Sequence, residues 1–208
     1  MDRNCAMVKM MKKELALALH KIGAVKFGEF SLKSGMKSPI YIDLRILVSH
    51  PELLGQIADE MIALAKPLKF DRIAGIPYTA LPIATAISLK TQWPMLYARK
   101  EVKDYGTQRK LEGVFKPGET VLIVDDLITT GESKFETIAP FEAAGLKVKD
   151  VVVLVNREQG GKRLLEAKGY HLHAVLGIHE MLEILKKEGK MDESTVENVL
   201  AFLAANQV

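Results

Sequence analysis

Short apolar runs separated by amphipathic stretches fill most of the chain after residue 70. Each run is rich in Val, Ile, Leu and Ala without polar alternation, which is typical of strands buried on both faces of a parallel sheet. We predict strands at 72–76, 94–98, 121–125, 151–155 and 173–178. Apolar positions at helical spacing predict helices at 81–90, 132–144 and 161–168. Strands joined by helices predict an α/β fold with a central parallel sheet flanked by helices.

The N-terminal part of the chain has a different pattern. A stripe of apolar positions predicts a helix over 10–20, which Gly23 is expected to end. Residues 26–44 alternate between apolar and polar positions. This alternation predicts short antiparallel strands, with breaks at 34–35 and 38–39.

Two helix starts are predicted from capping boxes, in which Ser or Thr precedes an acid by three residues. One box spans Ser49–Glu52, with Pro51 in the first turn of the helix, and the other spans Ser194–Glu197. Pro140 lies inside the predicted helix 132–144. Because proline cannot donate the backbone hydrogen bond of a helix interior, a kink or an early break is expected there.

Composition favours one soluble globular domain, since the 208 residues are 48% hydrophobic and 26% charged. We predict a single domain over 1–208, in which 1–45 form a helix and a cap and 46–208 form the core. The net charge of +3 comes from scattered Lys and Arg, which does not indicate nucleic-acid binding. Cys5 is the single cysteine, which fits a reducing, cytoplasmic compartment. The longest charge-free stretch, 73–89, contains two prolines, so no membrane span is predicted. Residues 1–11 carry charges and no apolar run, so no signal peptide is predicted.

The stretch Val121–Ser133 changes abruptly from apolar to polar. Four apolar residues lead into Asp125 and Asp126, and Thr129–Ser133 follow as a hydroxyl-rich loop that opens onto a predicted helix. Adjacent carboxylates at a strand end suit sugar hydroxyls or a hydrated Mg²⁺ ion. Loop amides and a helix N-terminus suit a phosphate group. The glycine patterns of P-loop NTPases and of dinucleotide-binding folds do not occur in the chain, so this stretch predicts a site for a phosphorylated sugar.

Polar segments also follow other predicted strands. Tyr78–Thr79 come after the first strand of the parallel series, Arg99–Lys100 after the second and Asn156–Arg157 after the fourth. Ligands of parallel sheets bind beyond the carboxyl ends of the strands. We therefore expect these segments to lie at the same edge of the sheet as Asp125.

The stretch Val121–Ser133 resembles the signature of the type I phosphoribosyltransferases, which bind 5-phosphoribosyl 1-diphosphate. Segments 26–45, 99–106 and 156–161 are similar to those of the orotate phosphoribosyltransferases, especially the form fused to orotidylate decarboxylase in animals. The four segments occur in the family's order and span nearly the whole chain. The resemblance implies the type I phosphoribosyltransferase fold, with a small N-terminal cap and a mobile catalytic loop near 100–113.

The resemblance also implies an activity. Members of this family transfer the 5-phosphoribosyl group from 5-phosphoribosyl 1-diphosphate to orotate, which gives orotidine 5'-phosphate and diphosphate in de novo pyrimidine biosynthesis. The implied cofactor is Mg²⁺, held through substrate and water near Asp125 and Asp126 without a direct protein ligand. The implied assembly is a homodimer with shared active sites, in which Lys103 reaches into the neighbouring subunit.

The family's functional residues map onto matching positions of this sequence. Catalytic roles fall on Lys100, Lys103, Asp125 and Asp126. The residues implied to bind 5-phosphoribosyl 1-diphosphate are Lys33, Tyr78, Thr79, Arg99, Lys100, Lys103, Tyr105, Asp125, Asp126, Thr129, Thr130, Gly131, Glu132 and Ser133. The residues implied to bind orotate are Lys33, Tyr41, Ile42, Thr129 and Arg157.

Three residues depart from patterns common in this family. Glu132 stands where a small residue is frequent, so its carboxylate is expected to point away from the phosphate. Tyr105 stands where bacterial members have histidine, and only a binding role is implied for it. Asn156 replaces an aspartate, which removes a negative charge next to Arg157.

Two alternative functions stay open. One is transfer to another base, such as a purine or uracil, but a base without a carboxylate would have no use for Arg157. The other is a regulator of transcription that binds 5-phosphoribosyl 1-diphosphate, against which the cations Arg99, Lys100 and Lys103 favour a catalyst. The spacing of the histidines predicts no structural zinc site.

Overall fold

The computed structural model describes residues 3–31, 35–100 and 110–208. Its helices are α1 (Arg3–Lys21), α2 (Pro51–Ala65), α3 (Ala80–Thr91), α4 (Glu132–Ala143), α5 (Gly161–Ala167), α6 (Ile178–Lys187) and α7 (Glu193–Ala205). Its strands are β1 (Val25–Ser31), β2 (Lys37–Ile42), β3 (Arg72–Gly75), β4 (Met95–Ala98), β5 (Leu111–Glu112), β6 (Thr120–Ile128), β7 (Lys147–Asn156) and β8 (His171–Gly177). A 3₁₀ turn spans Leu44–Ser49.

The main sheet has six strands in the order β5-β4-β3-β6-β7-β8. Every pairing in it is parallel except that of β4 with the short edge strand β5. A separate two-stranded antiparallel sheet, formed by β1 and β2, makes the N-terminal cap. The predicted α/β class, the five parallel strands and the three connecting helices are confirmed, although the element bounds shift by up to four residues.

Apolar side chains leave the sheet on both faces, because successive strand residues point in opposite directions. In β6, Leu122 and Val124 join the core under α1, α2, α3, α6 and α7, whereas Val121 and Ile123 join the core under α4. Phe141 of α4 is fully buried in this second core. The alternation places Asp125, the next residue after Val124, on the face that α4 covers.

The strand β6 is longer than predicted. The expected strand ended at Asp125, but the backbone keeps its pairing with β7 as far as Ile128, which lies opposite Asn156. Asp125 and Asp126 therefore lie within the strand rather than at the start of a loop. The loop itself is reduced to 129–131.

The predicted break at Ser38–Pro39 is wrong, because both residues lie inside β2. Pro39 falls at the irregularity in the pairing with β1, where the register skips between Phe27 and Phe30. A proline is tolerated at such a bulge because no ladder hydrogen bond has to be donated there.

Both predicted capping boxes are also wrong. Ser49 ends the 3₁₀ turn, and His50 precedes α2 without a side-chain capping bond, although Pro51 does occupy the first turn. At α7 the cap is Asp192, whose Oδ1 accepts a hydrogen bond from the Thr195 N–H at 2.7 Å. An aspartate caps as well as a serine does, so the pattern alone did not decide the register.

The early break at Pro140 is wrong as well. The helix α4 continues past Pro140 to Ala143. The missing N–H leaves the carbonyl of Glu136, four residues earlier, without its helical donor.

Within the described residues, no helix combines the length and apolarity needed to cross a bilayer.

Candidate active site

Four neighbouring strands of the main sheet bring the polar segments together. The strands β4, β3, β6 and β7 are adjacent in that order and parallel, so their carboxyl ends lie at one edge. Along this edge lie Arg99–Lys100 after β4, Tyr78–Thr79 after β3, the segment 125–133 at the end of β6, and Asn156–Arg157 at the end of β7. The predicted convergence of the four segments is confirmed.

Asp125 is held inside the protein by two contacts. The residue is only 3% exposed, and its Oδ1 accepts a hydrogen bond from the Asp126 N–H at 2.8 Å. Its Oδ2 pairs with the Nζ of Lys134, which is 8% exposed and lies in the first turn of α4. A buried carboxylate needs such partners, because transferring an unpaired charge out of water is costly.

Lys134 is the site residue that sequence reasoning missed. One signal could have found it, since a lysine in the first turn of a helix faces the positive end of the helix dipole. Such a lysine requires a nearby anion to be tolerated in a buried position. The anion is Asp125, nine residues earlier in the chain.

Asp126 has a different environment from its neighbour. It is half-buried, and its Oδ1 accepts a hydrogen bond from the Leu127 N–H at 2.8 Å. Burial, reinforced by the negative charge of Asp125, raises the pKa of Asp126 to about 7. The two acids therefore divide into an inward, ion-paired carboxylate and an outer carboxylate that gains a proton readily.

The loop 129–131 is compact because the backbones of Gly131 and Gly161 approach each other closely. Gly131 precedes α4 with a φ of 87°, a left-handed conformation that glycine adopts without strain. A Cβ on Gly131 would lie 3.2 Å from the Cα of Gly161, and a Cβ on Gly161 would lie 2.5 Å from the Thr129 carbonyl oxygen. The Gly161 N–H donates to that same oxygen at 3.1 Å. Glu132 and Ser133 are exposed in the first turn of α4, beside this loop.

Arg157 follows β7 and is tied to the end of β6. Its backbone N–H donates to the Ile128 carbonyl oxygen at 2.9 Å. Its side-chain Nε is buried without a hydrogen-bond partner, and burial lowers the pKa of the guanidinium group. A buried cationic donor without a partner favours an anionic ligand, because an unsatisfied buried donor is costly.

The segment after β4 carries two cations. The Arg99 N–H donates to the Lys110 carbonyl oxygen at 2.8 Å, and the Arg99 guanidinium pairs with Glu112 of β5. The Nζ of Lys100 lies 5.2 Å from the centroid of the Tyr78 ring, which is within the range of a cation–π contact. Thr79 follows Tyr78 as the residue before α3.

The residues predicted in the cap are only partly placed. The Tyr41 ring stacks on Phe30 with centroids 5.4 Å apart, and its hydroxyl accepts a hydrogen bond from Arg45 at 3.1 Å. These contacts lie within the cap and do not join Tyr41 to the edge of the main sheet. Ile42 packs on the core below the cap. Lys33, Lys103 and Tyr105 lie outside the described residues.

Residues 47–170 match the model of the phosphoribosyl transferase domain. The chain belongs to the phosphoribosyltransferase family. Its sequence is 40% identical over 188 residues to orotate phosphoribosyltransferase of Caenorhabditis elegans, which covers 89% of this chain and 83% of that protein. The orotate phosphoribosyltransferases are therefore the branch of the family to which it belongs.

Two further relatives are more than twice as long as this chain. The chain is 46% identical over 194 residues to uridine 5'-monophosphate synthase of Bos taurus, which covers 92% of this chain but 40% of that protein. The structure of Leishmania donovani UMP synthase superposes with a TM-score of 0.86 at 44% identity, covering 93% of this chain and 42% of that one. The chain thus spans about two fifths of these relatives.

Phosphoribosyltransferases of this kind typically use a divalent metal ion. Among residues 3–31, 35–100 and 110–208, no group of three or more His, Cys, Asp or Glu side chains could hold such an ion. The paired carboxylates Asp125 and Asp126 supply oxygen donors of the kind that hard divalent cations prefer. Two carboxylates suit a divalent ion that takes its remaining oxygen ligands from other groups.

Proposed function

We propose that the protein transfers the 5-phosphoribosyl group from 5-phosphoribosyl 1-diphosphate to orotate, giving orotidine 5'-phosphate and diphosphate in de novo pyrimidine biosynthesis. One observation carries the proposal: an acid pair, a compact loop at 129–131 and the half-buried Arg157, whose buried Nε has no partner, lie at the ends of two adjacent strands. The names of the relatives support the same reaction.

The ribose 5-phosphate part of the substrate is assigned to β6 and the loop after it. The backbone N–H groups and hydroxyls of 129–133 bind the 5-phosphate, supported by the N-terminus of α4. Asp125 and Asp126 hold the 2- and 3-hydroxyls of the ribose. Asp126 is the less buried of the two and presents the outer carboxylate. Glu132 is exposed, which allows its carboxylate to turn away from the phosphate.

The diphosphate is assigned to the segments after β3 and β4. Arg99, Lys100 and the backbone of Tyr78–Thr79 surround it, and Lys33, Lys103 and Tyr105 are proposed to complete its binding. The proposed metal ion is Mg²⁺, which would neutralise charge on the leaving diphosphate when it is bound. The proposed assembly is a homodimer in the cytoplasm, in which Lys103 of one subunit serves the site of the other.

Orotate is assigned to Arg157 and to the cap. A guanidinium group binds a carboxylate through two parallel hydrogen bonds, and the free Nε of Arg157 leaves such a donor available. Tyr41 and Ile42, with Lys33 and Thr129, are proposed to hold the pyrimidine ring, since an aromatic face can stack on it. Asn156 bonds the Glu158 N–H through its Oδ1 at 2.8 Å, so its side chain supports the turn that carries Arg157.

Catalysis follows from positioning and charge. Breaking the bond between C1 of the ribose and diphosphate builds positive charge on the sugar, as in glycoside cleavage. The carboxylates of Asp125 and Asp126 fix the sugar and favour that charge. Lys100 and Lys103 stabilise the departing diphosphate. We propose that residues 1–208 form one such domain, with a cap in 1–45, a core in 46–208 and a loop near 100–113.

The assay follows orotate absorbance in the presence of 5-phosphoribosyl 1-diphosphate and Mg²⁺. We expect turnover with orotate and none with adenine or uracil. Arg157→Ala should raise KM for orotate by about 10- to 100-fold, the loss expected for a charge-assisted pair, and change KM for the sugar substrate little. Arg157→Lys is the matched control, and its KM for orotate should lie between that of the original protein and that of Arg157→Ala. Turnover of adenine or uracil, or an unchanged KM for orotate in Arg157→Ala, would refute the assignment.

A further inference from the structure

The ion pair between Lys134 and Asp125 spans the phosphate loop from the inside. Asp125 belongs to β6 and Lys134 to the first turn of α4, so the pair joins the two elements that the loop connects. The side chains are 10% and 5% exposed for Lys134 and Asp125, respectively. The pair therefore lies in the interior directly beneath 129–133.

Other contacts hold the same loop from different directions. The Gly161 N–H binds the Thr129 carbonyl oxygen at 3.1 Å on the side of α5. The Lys134 N–H donates to the Gly131 carbonyl oxygen at 3.0 Å and closes the turn into α4. The ion pair adds a side-chain contact between Asp125 and the first turn of α4.

A buried lysine at this position would be energetically unfavourable if its only role were packing. It faces the positive end of the helix dipole and lies on a face where α4 otherwise buries Ile138 and Phe141. A buried ion pair is weak as a source of stability, but it fixes the relative position of the groups that it joins. Its charge also offsets one of the two adjacent carboxylates, next to a loop that has to receive a phosphate.

We infer that Lys134 is a positioning residue of the ribose 5-phosphate site, and this rests on the proposed function. Lys134 fixes the Asp125 carboxylate and orients the N–H groups of 129–133 toward the phosphate. It also leaves the acid pair with one uncompensated negative charge in place of two. Lys134 does not touch the substrate, so its effect reaches the substrate through Asp125 and the loop.

The test replaces Lys134 with Met, which has a similar length and no charge, and with Arg, which keeps the charge. Lys134→Met should raise KM for 5-phosphoribosyl 1-diphosphate and the Kd of ribose 5-phosphate about tenfold, and change the orotate KM less than about twofold. Lys134→Arg should restore most of this affinity. Lys90→Met is the matched control, since it breaks an exposed pair with Asp59 (2.6 Å) remote from the site.

A double variant separates positioning from stability. Asp125→Asn combined with Lys134→Met leaves no buried charge unpaired, so its melting temperature should recover toward the original value while its ribose 5-phosphate affinity stays low. If Lys134→Met does not fold, Lys134→Gln and the double variant carry the same comparison. Full recovery of ribose 5-phosphate affinity in the double variant, or an unchanged Kd in Lys134→Met, would overturn the inference.

The two proposals fail in different ways. A protein that binds ribose 5-phosphate in a Lys134-dependent manner but does not consume orotate would refute the proposed function and leave the role of Lys134 intact. A protein that consumes orotate but binds ribose 5-phosphate equally well with Met at position 134 would refute the role of Lys134 alone. Titration calorimetry with ribose 5-phosphate therefore accompanies the activity assay.

Discussion

Lys100 lies over the ring of Tyr78, with its Nζ 5.2 Å from the ring centroid. Lys100 follows β4 and Tyr78 follows the neighbouring strand β3, so this contact joins the two segments assigned to the diphosphate. The Tyr78 side chain is largely exposed, so the ring is available to orient the cation at the mouth of the site. The contact thus supplies a way to place the ammonium group before the substrate arrives.

Removing the Tyr78 ring should weaken binding of the sugar substrate. An exposed cation–π contact contributes about 0.5–1 kcal/mol, which corresponds to a two- to fivefold change in affinity. We expect Tyr78→Ala to raise KM for 5-phosphoribosyl 1-diphosphate by about this factor, whereas Tyr78→Phe keeps the ring and should leave it unchanged. Steady-state kinetics check both variants, and equal effects of Ala and Phe would argue against the contact.

Arg99 is paired with Glu112 in this structure, and the pair competes with any anion for the same guanidinium group. Glu112→Gln should lower KM for 5-phosphoribosyl 1-diphosphate by about two- to fivefold, since exposed ion pairs contribute up to about 1 kcal/mol. The difference should shrink at high ionic strength, where salt screens the pair. Glu183→Gln, which removes an exposed partner of Lys187 on α6, is the control and should have no effect.

The raised pKa of Asp126 predicts a stability that depends on pH. Because the pKa is raised to about 7 in the folded state from 3.8, the folded protein binds more protons than the unfolded chain between these values. The contribution of Asp126 to stability is therefore full below about pH 4 and is lost as the pH rises through about 7. Ionised Asp126 opposes folding at neutral and higher pH.

Asp126→Asn should accordingly stabilise the protein at about pH 8, by on the order of 2 kcal/mol, and should do so little near pH 4. Denaturant unfolding at both pH values measures the difference from the original protein, and Glu136→Gln, an exposed position on α4, is the control. The same variant should lose most activity, because Asp126 is assigned to the ribose. A gain in stability that is equal at both pH values would contradict the predicted titration.

Gly161→Ala should disturb the phosphate loop directly. The new methyl group would lie 2.5 Å from the Thr129 carbonyl oxygen and 2.8 Å from Ile128 Cγ1, so the backbone of the loop has to move. We expect a loss of about 1–3 kcal/mol in unfolding free energy, as for other overpacked sites, and about a tenfold rise in KM for 5-phosphoribosyl 1-diphosphate. Thermal denaturation and kinetics provide the measurements.

Gly55→Ala is the matched control for this change. Gly55 lies inside α2, and the nearest atom to its added Cβ is the Lys90 Nζ, at 3.8 Å. Alanine in a helix interior should stabilise the protein by about 0.5–1 kcal/mol without changing either KM. If Gly161→Ala behaved like Gly55→Ala, the close approach of the two backbones would have no functional meaning.

The sequence predicted the fold well wherever periodicity was long and strong. Buried strands such as β7 carry unbroken apolar runs, and their order along the chain sufficed to predict a parallel sheet and its polar edge. The bounds were less accurate because β6 continues through two carboxylates, which local polarity marked as a strand end. Pairing with β7 carries this strand as far as Ile128, and no short window of sequence contains that information.

The candidate site was predicted as a set of segments rather than as a network. Asp125 and Asp126 were predicted as equivalent acids, but Asp125 is buried against Lys134 whereas Asp126 is only half-buried. The contact from Lys134 to Asp125 depends on how α4 folds back over the sheet, so it could not be inferred from the loop motif alone. The helix caps were missed because more than one residue near each helix start could occupy the N-cap position. His50 takes it in place of Ser49 at α2, and Asp192 takes it in place of Ser194 at α7.

The order of the strands has a stereochemical consequence. In the proposed assignment, the departing diphosphate lies over β3 and β4, whereas the entering nitrogen of orotate comes from the side of β7. Since β6 with the sugar lies between them, the nucleophile approaches C1 of the ribose from the side opposite to that on which the diphosphate departs. Substitution at that carbon should therefore invert its configuration, and an α-linked diphosphate should give a β-linked nucleotide.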